Sequence, residues 1–156
     1  MRLAALGCLA LAAGTLVYLT DRDPSRAALI PALPLLAGLG LFGGLGAWLP
    51  SFVHPFAFSL FTAALAPASK PPAYWACAMW WGINVGFEVA QTPLIGPSLA
   101  SGLRHPLWPA WLADALSNFA VHGTFDVADL IAATAGALAA ALLLRSTQVR
   151  EFNHAR

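Results

Sequence analysis

Thr124-Phe125-Asp126-Val127-Ala128-Asp129-Leu130-Ile131-Ala132-Ala133-Thr134-Ala135-Gly136-Ala137-Leu138-Ala139-Ala140-Ala141-Leu142-Leu143-Leu144 carries two carboxylates at its start and no charge after Asp129. A helix needs about 20 mostly apolar residues to cross the hydrocarbon core of a bilayer. This stretch meets that length, and it lacks the alternating pattern of an outer-membrane barrel strand. It therefore predicts a membrane-spanning helix with acidic groups at one end.

Four further apolar runs lie upstream: about Leu3–Leu19, Ala28–Leu49, Phe52–Leu65 (which is short) and Ala73–Gln91. Together they predict an all-α, polytopic integral membrane protein of about five transmembrane helices, folded as one membrane domain over residues 1–156. Composition agrees. The chain is 59% hydrophobic and 10% charged, against about 25% charged in a soluble domain. The net charge of +1 comes with no basic patch, which excludes a nucleic-acid partner. Cys8 and Cys77 sit in apolar runs without metal-ligand spacing, and no cofactor motif is present.

Met1-Arg2 ahead of an apolar run also fits a signal peptide. No convincing small-x-small cleavage site precedes Asp21, so the first span is expected to stay uncleaved. Leu6-Gly7-Cys8 has the outline of a lipoprotein site, but too few apolar residues precede it.

The connections are polar or rich in proline: Thr20-Asp21-Arg22-Asp23-Pro24-Ser25, then Pro50 and Pro55, then Pro67-Ala68-Ser69-Lys70-Pro71-Pro72. A long connection, about Thr92–Gly123, contains Trp108 and Trp111 with Leu107, Leu112 and Leu116. Tryptophan favours headgroup depth, so an interfacial or re-entrant segment is expected there. With five spans, Arg22, Arg26, Lys70, Arg145, Arg150 and Arg156 fall on one side, and Arg2 and Arg104 on the other. The positive-inside rule then puts the amino terminus outside and the carboxyl terminus in the cytoplasm of a bacterial inner membrane. His54, Glu88, Gln91, the long loop, His122, Asp126 and Asp129 all fall at the extracytoplasmic end.

Residues three or four apart share a helix face. Trp81, Asn84, Glu88 and Gln91 form one such stripe; Asp126, Asp129, Ala133, Gly136 and Ala140 form another. Small residues let membrane helices approach closely, so the second stripe is expected to pack inward and carry both aspartates with it. An intramembrane carboxylate costs at least about 2.5–3.5 kcal/mol and defaults to a functional role. Plainer readings stand beside it. Glu88, Asn84 and Gln91 could be interhelical hydrogen-bonding groups, Asp126 a first-turn acid favoured by the helix dipole, and His54 an interfacial histidine. His54, Glu88, His122 and Asp126 could in principle hold a metal, but no H-x-x-x-H or H-E-x-x-H signature is present, and no metal is expected. No serine has a nucleophile-elbow context.

His54-Pro55-Phe56-Ala57-Phe58 opening one span, Phe87-Glu88-Val89-Ala90-Gln91 closing the next, and Gly123-Thr124-Phe125-Asp126-Val127-Ala128-Asp129 leading into the last resemble the VanZ-like membrane proteins. The resemblance covers about His54–Leu144. It departs at Ala133, where that family commonly has asparagine, at Gly123-Thr124, where it often has arginine, and in the length of the 92–123 connection. It implies a cell-envelope setting linked to teicoplanin-type glycopeptide resistance.

The expectation is an outer-leaflet polar pocket that binds, or binds and modifies, a membrane lipid or lipid-linked envelope substrate. Glu88 would act as acid or base. Asp126 and Asp129 would position it, bind a cation or share a proton, and His54 would shuttle protons. Gln91 and Asn84 would orient the substrate, with Trp108 and Trp111 as a lid. Two alternatives remain: a non-enzymatic scaffold binding another membrane protein, and a proton-coupled transporter. The second lacks an internal repeat and midplane charges.

Overall fold

The structure, a computed structural model, describes residues 2–21, 38–66, 74–103 and 108–154. Among them every regular element is helical. Four long helices form the body: α1 (Arg2–Thr20), α2 (Leu49–Leu65), α3 (Tyr74–Ala90) and, last in the chain, α6 (Val127–His154). Two shorter ones, α4 (Gly96–Leu103) and α5 (Ala110–His122), occupy the long connection.

α2 is the hub. It packs against α1 on one side and against α6 and α3 on the other. The contacts fix the directions. Gly7 meets Phe61 and Gly14 meets Val53, so α1 and α2 are antiparallel. Ser51 bonds to Asp129, while Leu60 clusters with Ala140 and Leu144, so α2 and α6 are parallel. Trp80 bonds to Thr62 and Trp81 to Thr134, which runs α3 against both. Close approach comes from small residues. Ala133, Ala137 and Ala140 are buried, and a Cβ on Gly136 would collide with the Phe52 carbonyl oxygen. The second small-residue stripe thus packs inward as its spacing predicts.

α1 and residues Val127–Thr147 of α6 are long and apolar enough to cross a membrane. In their most apolar windows 22% and 33% of the residues are buried within the chain, which leaves apolar surface on both helices, Leu9, Leu138 and Leu142 among it, uncovered by the described residues. α2 is a shorter apolar helix of 17 residues, about 25 Å at ~1.5 Å per residue. It begins at Leu49 and runs through Pro55, rather than starting beyond Pro50. Proline is tolerated in a first helical turn, and Pro55 removes only one interior amide.

The stretch expected as a second span, Ala28–Leu49, departs most from its reading. Residues 28–37 lie outside the described part. Beyond them the backbone is not α-helical: Gly38, Gly40 and Gly43 take φ of 81°, 59° and 52°, a region open mainly to glycine, and Gly43–Ala47 form a single 3-10 helix. The Gly40 amide donates to the Thr20 carbonyl at 3.1 Å. The Phe42 and Gly43 amides each donate to the Asp21 carboxylate at 2.9 Å. The chain therefore leaves α1 and returns to the same end of it. A span between Asp21 and Leu49 would separate those residues by the thickness of the bundle. The five-helix count and an amino terminus opposite the carboxyl terminus are not confirmed by the described residues: Arg2 and the far end of α6 share one end, and Asp21, Leu49, Ala90 and Val127 share the other.

The Asp21 clasp has a testable pH dependence. The Thr20 hydroxyl is the main influence holding its carboxyl below the ordinary value of 3.8. Desolvation opposes this, and the amides of Phe42, Gly43 and Leu41 add to it. A carboxyl whose pKa is depressed by folding stabilises the fold above its ordinary pKa, and that contribution is lost as the pH falls through the folded value. Hydrogen-exchange protection of the Phe42 and Gly43 amides is thus expected to hold at neutral pH and to fall only below 3.8. Asp21→Ala should remove it at every pH, while Asp21→Asn, which keeps an acceptor oxygen, should retain part. Equal protection in wild type and Asp21→Ala would refute the clasp.

Candidate functional site

Three carboxylates converge where α3 ends and α6 begins. Glu88 stands less than one turn before the end of α3, half-buried, and its Oε2 accepts the Asp126 amide at 3.3 Å. Asp126 directly precedes α6. Its Oδ1 accepts the Ala128 amide at 2.8 Å, and its carbonyl accepts from Asp129 and Leu130. It is the N-cap of α6, occupying orphan donors of the first turn. Asp129 lies in that first turn, half-buried, and its Oδ1 accepts the Ser51 hydroxyl of α2 at 2.7 Å.

The site thus joins three helices. The charges among the described residues that act on Glu88 are those of Asp129 and Asp126, both of its own sign. Among the described residues, each carboxylate has one oxygen engaged by an uncharged donor and the other without a hydrogen bond. The first-turn amides of α6 supply partial positive charge beside them. Three unengaged carboxylate oxygens at one bundle end can accept hydrogen bonds from a hydroxyl or ammonium group.

The other expected site residues divide. Trp81 of the first stripe reaches α6, donating its indole N–H to Thr134 at 3.0 Å. Asn84 instead donates to the Trp80 carbonyl of its own helix at 2.8 Å. Gln91 donates to the Phe87 carbonyl at 3.3 Å, and its side chain lies tight against Gly123, where a Cβ would strike it. Gln91 and Gly123 therefore seal the base of the 92–123 connection beside Glu88. His54 makes no hydrogen bond to the carboxylates among the described residues. It stacks on Phe58 at 6.1 Å, and Phe58 stacks on Trp80 at 4.7 Å. Trp108 and Trp111 are exposed, without hydrogen bonds to the site. Asp126 is exposed rather than carried into the bundle, because its side chain turns back to cap its own helix.

Ser51 was not legible as a site residue. The only hint is its place one turn before Pro55 at the start of an apolar helix, where Pro55 lacks the amide that would bond the Ser51 carbonyl. Among the described residues no group of three or more His, Cys, Asp or Glu side chains is arranged to hold a metal ion.

No protein-family model, curated protein or solved structure matches this chain.

Proposed function

We propose that this chain is a multi-pass, VanZ-like protein of the cytoplasmic membrane. In this reading its outer-leaflet carboxylate site binds, or binds and modifies, a lipid-linked or cell-envelope substrate. α1, α2, α3 and α6 cross the bilayer, and both termini face the cytoplasm. The sequence at the terminal side then carries Arg2, Lys70, Arg145, Arg150 and Arg156, against Arg22, Arg26 and Arg104 outside. That excess has the sign the positive-inside rule requires. The short α2 and α3 are accommodated by local thinning of the bilayer.

The observation that carries the reading is the convergence of Glu88, Asp126 and Asp129. They come from two helices, stand at one end of the bundle, and each keeps an oxygen unengaged among the described residues. The same three residues stand in the stretches that resemble the VanZ-like pattern. Glu88 is the acid or base, Asp129 is held by Ser51 as its partner, and the Asp126 carboxylate, whose amide Glu88 accepts, places a second negative charge beside it.

The test is teicoplanin susceptibility with whole-cell lipid profiling on the same cultures. Strains express wild type, Glu88→Gln or Asp126→Asn at matched membrane levels. A change with wild type that is lost in both variants is expected. Wild-type behaviour in both at normal abundance would overturn the site. No difference between expressing and non-expressing cells would favour the scaffold reading, tested next by partner capture.

A further inference from the structure

The α4–α5 hairpin stands apart from the bundle. Its two helices pack chiefly on each other. The Ser117 hydroxyl donates to the Ala100 carbonyl at 3.3 Å, and a Cβ on Gly96 would collide with the Ala120 carbonyl oxygen. On α5 the face bearing Ala113, Ser117 and Ala120 is consumed in this way. At about 100° per residue the remaining surface splits into two arcs. Leu112, Ala115, Leu116 and Phe119 form an apolar arc; Asp114 and Asn118 lie on the other, with Val121 beside Asp114, and Trp111 and His122 stand at the border next to Asn118. α4 carries no charged side chain.

We infer that this hairpin lies flat in the lipid headgroup boundary of the outer leaflet, its apolar arc toward the acyl chains and Asp114 and Asn118 toward water. The inference rests on the membrane reading above and adds to it the surface that the hairpin contacts. Three observations single out lipid as the occupant. The hairpin is tethered by short segments to the ends of α3 and α6, which holds it at the depth where those helices leave the hydrocarbon. Phe119, on the apolar arc, meets Phe87 of α3 edge to face at 5.5 Å. Phe87 is itself 46% exposed, so the arc continues the outward apolar surface of α3. Trp111 is 70% exposed and Leu94, in the tether, 86%. A tryptophan at this depth gains from an apolar body and a polar N–H. A helix with separate apolar and polar arcs is the form that lies in an interface rather than spanning it. The formal charges of the 96–122 stretch are Arg104 and Asp114, one of each sign, so attachment comes from apolar burial and is expected to be equal in zwitterionic and anionic bilayers.

The test uses single-cysteine variants carrying an environment-sensitive fluorophore, reconstituted in phosphatidylcholine vesicles. Cys8, which is exposed, is replaced by serine; Cys77 is buried and stays. Probes go at Leu112→Cys and Leu116→Cys, at Asp114→Cys and Asn118→Cys, and at Leu138→Cys in α6 as the reference for a span. Quenchers are nitroxide lipids labelled at the headgroup or deep in the acyl chain, and aqueous iodide. Leu138 should be quenched by the deep nitroxide. Positions 112 and 116 should be quenched several-fold more by the shallow nitroxide than by iodide, and positions 114 and 118 the reverse. If Leu138 behaves as expected while all four hairpin positions respond only to iodide, the inference is overturned and the membrane reading stands. Deep-nitroxide quenching at 114 and 118 would make the hairpin re-entrant, and also overturns it. Iodide quenching at Leu138 would overturn the membrane reading, and the inference with it.

Discussion

Gly136→Val should leave little folded protein, and Gly136→Ala should destabilise it measurably. Even the first carbon of a side chain at Gly136 meets the carbonyl oxygen, carbonyl carbon and Cα of Phe52. All three are backbone atoms, so no rotamer change can relieve the clash. α2 and α6 must move apart along the contact that holds Ala133, Ala137 and Ala140 in the core. Overpacking a tight contact costs about 1–3 kcal/mol, and the loss of dispersion along a parted interface adds to that. Alanine recovers up to about 1 kcal/mol because glycine is the poorer helix former, so Gly136→Ala should net about 1–2 kcal/mol of destabilisation by these scales. Valine adds two methyl groups and a stiff χ1. The controls lie in the same protein: at Gly82 and Gly86 of α3 a Cβ would have nothing within 4 Å, and their alanine variants should be neutral or more stable by up to about 1 kcal/mol. Thermal unfolding in detergent reads all four. A Gly136→Ala protein as stable as Gly82→Ala would mean that α2 and α6 do not approach as described.

The second large effect is at the Ser51–Asp129 bond. It links the first turn of α6 to the first turn of α2, near the end where the carboxylates gather, at 2.7 Å. A hydrogen bond to a charged acceptor contributes about 1.5–3 kcal/mol, and the low end applies to a half-exposed carboxylate. Asp129→Ala and Ser51→Ala should therefore each cost about 1.5 kcal/mol. The double variant should lose little more than either alone, because both remove the same bond. Asp129→Asn keeps an acceptor oxygen and should be the mildest in stability while still removing the charge that acts on Glu88. Additive losses in the double variant would show that the two side chains do not act together. The Asn variant also separates folding from function, since activity lost at near-normal stability assigns the charge, not the bond, to the site.

Much of this arrangement was readable because apolar periodicity is written plainly in the chain. The inward stripe through Ala133, Gly136 and Ala140 needed only helical spacing, and the convergence of Glu88 with Asp126 followed from their places at the ends of α3 and α6. What spacing could not show was direction across the Gly38–Gly46 stretch. An apolar run containing Gly38, Gly40 and Gly43 reads by composition as part of a span. Its positive φ values and the Asp21 clasp turn it back toward α1 instead. Hydropathy counts apolar residues and is blind to a backbone that reverses. Ser51 escaped for a related reason: a lone serine near a helix start has many ordinary uses, and only the packing of α2 beside α6 gives this one a carboxylate. Asp126 illustrates the opposite limit. Its spacing with Asp129 suggested a shared face, yet a residue directly before a helix finds its nearest donors in its own first turn.

The clasp between Asp21 and the Phe42–Gly43 amides also bears on how such a chain would be threaded into a bilayer. On the proposed topology neither terminus is translocated. The first stretch to be carried across is the one between α1 and α2, which moves while those two helices enter as an antiparallel pair. Its charged residues are Asp21, Arg22, Asp23 and Arg26, two of each sign, so the stretch is electrically neutral as a whole. The electric potential across the membrane would neither drive nor oppose its passage, and insertion would be governed by the apolar helices on either side.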